Sequence, residues 1–157
     1  MKRKQQGELG LSFLCHIPMV REGGIVVRTP EDAASQMAEI RDAGQEMFGV
    51  LYLNARNNLL DKKIVSIGVV DACLVHAREV FRQAILSQCS ALVLCHNHPS
   101  GDPTPSAEDL RLTRQLIAAG KVVGIKVLDH VILGRQSPER AHGFLSLRES
   151  GVVTFDP

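Results

Sequence analysis

Ala91-Leu92-Val93-Leu94-Cys95-His96-Asn97-His98-Pro99-Ser100-Gly101-Asp102-Pro103-Thr104-Pro105-Ser106-Ala107-Glu108-Asp109 joins an apolar run to a helical pattern through a loop rich in proline. The run 91–95 is short enough to be a buried strand. Downstream, Leu110, Leu112, Leu116, Ile117 and Ala118 supply the apolar faces of a helix of about 107–119, with Gly120 as its expected stop. Between them, three prolines and a glycine make a rigid, exposed turn. Strand side chains alternate, so His96 and His98 point to one side, and Asp109 in the first helical turn can aim its carboxylate back at them. Two imidazoles and a carboxylate converging from rigid elements form a ligand set for catalytic zinc, with the fourth position left to water.

Plainer readings apply to the same letters. Ser106-x-x-Asp109 also fits a capping box, with Ser106 as N-cap and Asp109 at N3, and a capping serine can act in catalysis as well. Asn97 points away from the histidine pair and is expected to brace the loop. Asp102 reads as a turn residue, and Cys95 faces away from His96. The letters His96-Asn97-His98 match an HNH nuclease only superficially, since that nuclease draws its residues from distant positions. His130 follows Asp129 at an expected strand end, where it either approaches the site or caps the strand. His76 and Glu79 read as a solvated helix face.

The chain has 157 residues, 45% hydrophobic and 22% charged, a profile that suits one soluble globular domain. No apolar run is long enough to span a bilayer, and the basic start Met1-Lys2-Arg3-Lys4 lacks the apolar core of a secretory signal, so the expected location is the cytoplasm. Cys15, Cys73, Cys89 and Cys95 show no Cys-x-x-Cys spacing, and the last three lie in apolar segments as small buried hydrophobes. A net charge of +1 and 4% aromatics with no Trp lean against nucleic acid, which calls for a basic patch or stacking platform.

Working outward, residues 1–28 read as an N-terminal arm, disordered over 1–10, with an edge strand or arm over Leu11–Val20 and a short strand at Ile25–Arg28. The domain proper is 29–157. Thr29-Pro30-Glu31-Asp32 starts a helix that Gly44 ends. Glu46–Asn54 and Leu59–Ile67 read as a hairpin, and about 72–88 as a helix starting anywhere from Asp71 to Ala77. Val122–Leu128 and His130–Leu133 read as two further short strands, and Gly143–Gly151 as a last short helix. The expected class is α/β (α+β), a mixed sheet flanked by helices.

The pattern His-x-His-Pro-x6-Ser-x-x-Asp, filled by His96, His98, Pro99, Ser106 and Asp109, resembles the JAMM motif of the JAB/MPN metallopeptidases. The longer string His96–Pro103 and Val127-Leu128-Asp129-His130 are similar to the RadC branch of that superfamily, over about Thr29 to Gly134. The resemblance implies a JAB/MPN fold, cytidine-deaminase-like in outline, although the deaminase's own His-x-Glu and Pro-Cys-x-x-Cys are absent. It implies a zinc-dependent hydrolase of peptide or isopeptide bonds acting on a peptide or protein substrate, with His96, His98 and Asp109 as Zn2+ ligands. It further implies Glu46 as general base and Ser106 as hydrogen-bond donor to the oxyanion. The alternative that the branch's name carries is a DNA-repair factor, either a metal-dependent nuclease or a non-enzymatic partner. Longer RadC-like proteins place a helix-hairpin-helix DNA-binding region ahead of the JAB domain, and the residues before Thr29 are too few for one. A third reading, an inactive scaffold that dimerises as some MPN relatives do, is disfavoured by the intact ligand set. The oligomeric state is left open.

Overall fold

The computed structural model describes residues 24–68 and 75–155. The arm over 1–20, the expected helix start near 72, and Cys15 and Cys73 lie outside the described residues. In chain order the elements are α1 (Pro30–Gln36), a single 3-10 turn (Ala38–Ile40), β1 (Met47–Leu53), β2 (Leu59–Ile67), α2 (Ala77–Leu86), β3 (Ala91–Asn97), α3 (Ala107–Val123), β4 (Lys126–Leu133) and β5 (Phe144–Ser146). The five strands form one sheet in the order β2-β1-β3-β4-β5. β3 runs parallel to β4, and the remaining neighbours are antiparallel. The chain is therefore an α/β (α+β) protein with a mixed sheet, as the sequence implies.

Alternation along the three inner strands builds two cores. Phe48, Val50, Tyr52, Leu92, Leu94 and Ile132 share one face and pack with Val80, Phe81 and Ala84 of α2 and Leu116 and Ile117 of α3. Leu51, Leu53, Val93, Cys95, Val131 and Leu133 share the other face, covered by Ala33, Ala34 and Met37. Both faces of β3 are buried along its whole length, which is why it reads as a continuous apolar run. Among the described residues, no helix is long and apolar enough to cross a membrane.

Besides the helix opened at Thr29, which ends at Gln36 and gives way to the 3-10 turn rather than running to Gly44, four expectations need correcting. First, α3 runs through Gly120 to Val123 and ends at Gly124, whose φ of 73° supplies the left-handed cap. Gly120 is instead a close-approach position, since a Cβ there would meet the Ile125 carbonyl oxygen at 2.5 Å. Second, 126–133 is one strand, with only a register shift where Val93 pairs Asp129. The polar Asp129 reads as a break, but its carboxylate is satisfied by Ser146 Oγ at 2.6 Å and by the backbone N–H groups of His130 and Arg148. Third, the expected helix over 143–151 is β5 followed by turns, because Phe144, Leu145 and Ser146 complete the β4 edge. Fourth, Ile25–Arg28 forms only an isolated bridge, Val26 to Asn58, rather than a strand.

Candidate metal centre

The site forms where β3 leaves the sheet and α3 begins. Pairing with β1 on one side and β4 on the other fixes His96, whose cross-strand neighbours are Phe48 and Ile132. The backbone N–H of His98 donates to the Leu133 carbonyl at 2.9 Å, so the second histidine is still held by the sheet's edge. The proline loop then folds back onto the segment after β4. Arg135 N donates to the Gly101 carbonyl at 2.8 Å, and Gly134 lies so close that a Cβ would stand 2.4 Å from that oxygen. Ser106 caps α3 as read from the sequence: its Oγ accepts from Asp109 N at 3.1 Å, and Asp109 Oδ2 accepts from Ser106 N at 2.7 Å. That capping box sets the direction of the Asp109 side chain.

The three expected ligands meet. His96 Nε2 lies 2.9 Å from His98 Nε2, 3.3 Å separates His96 Nε2 from Asp109 Oδ1, and 3.3 Å separates His98 Nε2 from Asp109 Oδ2. Tetrahedral zinc with bonds near 2.0–2.2 Å holds its donor atoms roughly 3.4 Å apart, close to this spacing. The outer nitrogens show which inner ones are bare. His98 Nδ1 lies 2.7 Å from the Asp102 carbonyl, which only accepts, so its proton sits on Nδ1 and Nε2 presents a lone pair. His96 Nδ1 is likewise engaged, 2.7 Å from His130 Nε2. Two imidazole nitrogens facing each other above a carboxylate call for a shared proton or a metal ion between them, and the donor set fits a metal ion.

Burial alone would raise the Asp109 carboxyl, but the two imidazoles set against it and the Ser106 backbone N–H hold it well below the usual carboxylate range. Burial opposes a charged His98, yet the Asp109 carboxylate, the Asp102 carbonyl and Glu46 together raise its pKa above the ordinary histidine value. Glu46 is partly buried and immediately precedes β1, and its charge reaches His98. The segment before it is tied down by Asn97, which points away from the ligand pair as expected. Its Oδ1 accepts from Met47 N at 2.7 Å, and its Nδ2 donates to the Gln45 and Ala43 carbonyls.

His130 is not at a strand end but inside β4, fully buried, and it approaches the site through His96. Sequence reading passed over Thr113, whose hydroxyl lies 2.6 Å from His130 Nδ1, and Phe48, stacked on the His96 ring at 6.0 Å between centroids and edge-on to His130 at 5.4 Å. His76 is the exposed N-cap residue ahead of α2 and Glu79 lies exposed in its first turn, Cys95 is buried on the opposite face, and Asp102 braces its own turn through Thr104.

A mixed sheet whose middle strand brings two histidines to a carboxylate at a helix start, a group able to hold a metal ion, has the arrangement of a JAB-type domain. A family model of the RadC-like JAB domain matches residues 27–152, and the chain belongs to that family. It is 47% identical over 131 residues to a UPF0758 protein of Halalkalibacterium halodurans, covering 83% of this chain and 54% of that protein. It is 44% identical over 132 residues to a UPF0758 protein of Geobacillus sp., covering 83% and 56%. With a UPF0758 protein of Desulforamulus reducens the identity is 43% over 136 residues, covering 86% and 57%. The chain thus spans just over half the length of these curated relatives, whose names state no reaction.

Proposed function

We propose that this domain is a zinc-dependent hydrolase of peptide or isopeptide bonds, acting on a peptide or protein substrate. The observation that supports it is the pair of bare Nε2 atoms, 2.9 Å apart over the Asp109 carboxylate. His96, His98 and Asp109 would hold the ion, and zinc in such a set supplies a Lewis acid and an activated water at neutral pH. Glu46 is the general base. Its carboxylate takes a proton from the attacking water and returns it to the amine nitrogen as the C–N bond breaks. Its charge acts on His98, and the strand start that carries it is tied down by Asn97, which suits that exchange. Ser106 uses an Oγ lone pair for the helix cap, so its O–H is left to donate to the carbonyl oxygen as that oxygen gains charge.

The test compares wild type and Glu46→Gln, both loaded with zinc, on fluorogenic peptides and isopeptide-linked lysine substrates. Wild-type turnover that falls by about 10²–10⁴-fold in the variant, with zinc content unchanged, is the expected result. Equal turnover by both proteins would remove Glu46 from the chemistry. Metal-dependent nicking of a labelled DNA duplex, with peptides left intact, would favour the repair-linked alternative.

A further inference from the structure

We infer that His130, backed by Thr113, is a positioning residue that locks His96 in the tautomer able to bind metal and ties that ligand to the helix bearing Asp109. The inference rests on the metal-centre reading above and deepens it. Its basis is a closed chain of buried hydrogen bonds whose direction can be worked out from one end.

The Asp109 carbonyl can only accept, and Thr113 Oγ1 lies 2.6 Å from it, so the single hydroxyl proton of Thr113 is spent there. Thr113 Oγ1 is also 2.6 Å from His130 Nδ1, and in that contact it must accept. His130 therefore carries a proton on Nδ1. It is fully buried, and its two ring nitrogens meet only a hydroxyl and another imidazole, so no carboxylate is in hydrogen-bond contact to hold a second proton there. Its Nε2 is then an acceptor, and His96 Nδ1 at 2.7 Å must be the donor. The proton of His96 is committed outward, and its Nε2 faces His98 bare. Reversing every bond would put a proton on His96 Nε2, where it blocks a metal ion, but the Asp109 carbonyl at the chain's end forbids that reversal.

The chain also has a mechanical role. His96 lies on β3, His130 on β4, and Thr113 one helical turn beyond Asp109 on α3. His130 thereby joins the strand that carries one ligand to the helix that carries another, through atoms that are fully buried. Metal-ligating histidines commonly depend on such a partner, whose loss weakens metal binding by about 10–100-fold.

The experiment uses the full chain as wild type, His130→Phe, His130→Gln and Thr113→Val. Phe keeps the shape but cannot accept, whereas Gln offers a carbonyl to His96 and an amide N–H to Thr113. Two readouts are taken: the zinc dissociation constant, by competition with a chromophoric chelator, and the ring-nitrogen shifts of His96 in the metal-free protein, by long-range proton–nitrogen correlation. Wild-type His96 is expected as the Nδ1–H tautomer. His130→Phe should lose that preference and bind zinc about 10–100-fold more weakly, with Gln recovering most of the loss. Folded His130→Phe with affinity within about twofold of wild type would overturn the inference, as would an Nε2–H His96 in the wild type. If the Phe variant does not fold, Thr113→Val decides: weaker zinc binding supports the chain, and unchanged binding refutes it. If the wild type takes up no zinc, the metal reading fails by itself, and the His96 shifts still judge the tautomer claim.

Discussion

Asn97 sits between two ligand histidines yet serves the opposite side of the strand. It is fully buried and holds three backbone groups of the segment that carries Glu46. Asn97→Ala would leave Met47 N–H and two carbonyls without that partner. A loss of about 2–3 kcal/mol is expected, read as a lower urea midpoint with unchanged slope. If Glu46 is the base, the same variant should also lower turnover while retaining zinc. The residues of the centre divide by how far they lie apart in sequence. His96, His98, Ser106 and Asp109 fall within one short stretch, so alternation and capping rules place them without a fold. His130 and Thr113 join them only through the parallel β3–β4 pairing and the packing of α3, which no local pattern encodes.

At the scale of elements, the two glycines that sequence reading undervalued bear most directly on the site. Gly120 lets α3 pass the chain at Ile125, and it reads as a helix stop because a mid-helix glycine gives the same signal as a terminal one. Gly120→Ala pushes a Cβ into the Ile125 carbonyl at 2.5 Å, and thermal unfolding should reveal a loss of about 1–3 kcal/mol. Gly134 abuts the metal loop, with a Cβ there falling 2.4 Å from Gly101 O and 2.7 Å from Pro103 Cδ. Gly134→Ala should therefore displace the loop that carries His98 and weaken zinc binding severalfold, measurable by chelator competition. Unchanged affinity would mean that the loop holds its shape without this contact. The hairpin β1–β2 was readable because its strands and turn are contiguous. The single β4 was not, because Asp129 looks like a break until Ser146 and Arg148 are brought beside it.

For the whole molecule, a sheet covered on both faces leaves the end of its middle strand as the place where polar groups collect: His96, Asn97, Asp109, Thr113 and His130 are all buried there. Such a cluster is costly to bury without partners, and the hydrogen-bond chain and, on the proposed reading, a cation together supply them. Metal binding should then follow pH through His98. Its pKa is raised in the metal-free protein, and the protonated ring cannot ligate, so zinc must displace that proton. Affinity is expected to be flat well above the raised value and to fall as pH drops through it, by about tenfold per unit for one proton. A titration between pH 8 and pH 5 reads this directly. An affinity independent of pH would place the ion on other groups.

The central claim is that His96, His98 and Asp109 form a working metal centre. Elemental analysis of the purified chain, wild type beside His98→Ala, tests it most directly. About one zinc per chain in the wild type, lost in a variant that keeps its circular dichroism, is the predicted result. A wild type that holds no zinc, and takes up none when zinc is added, would contradict it.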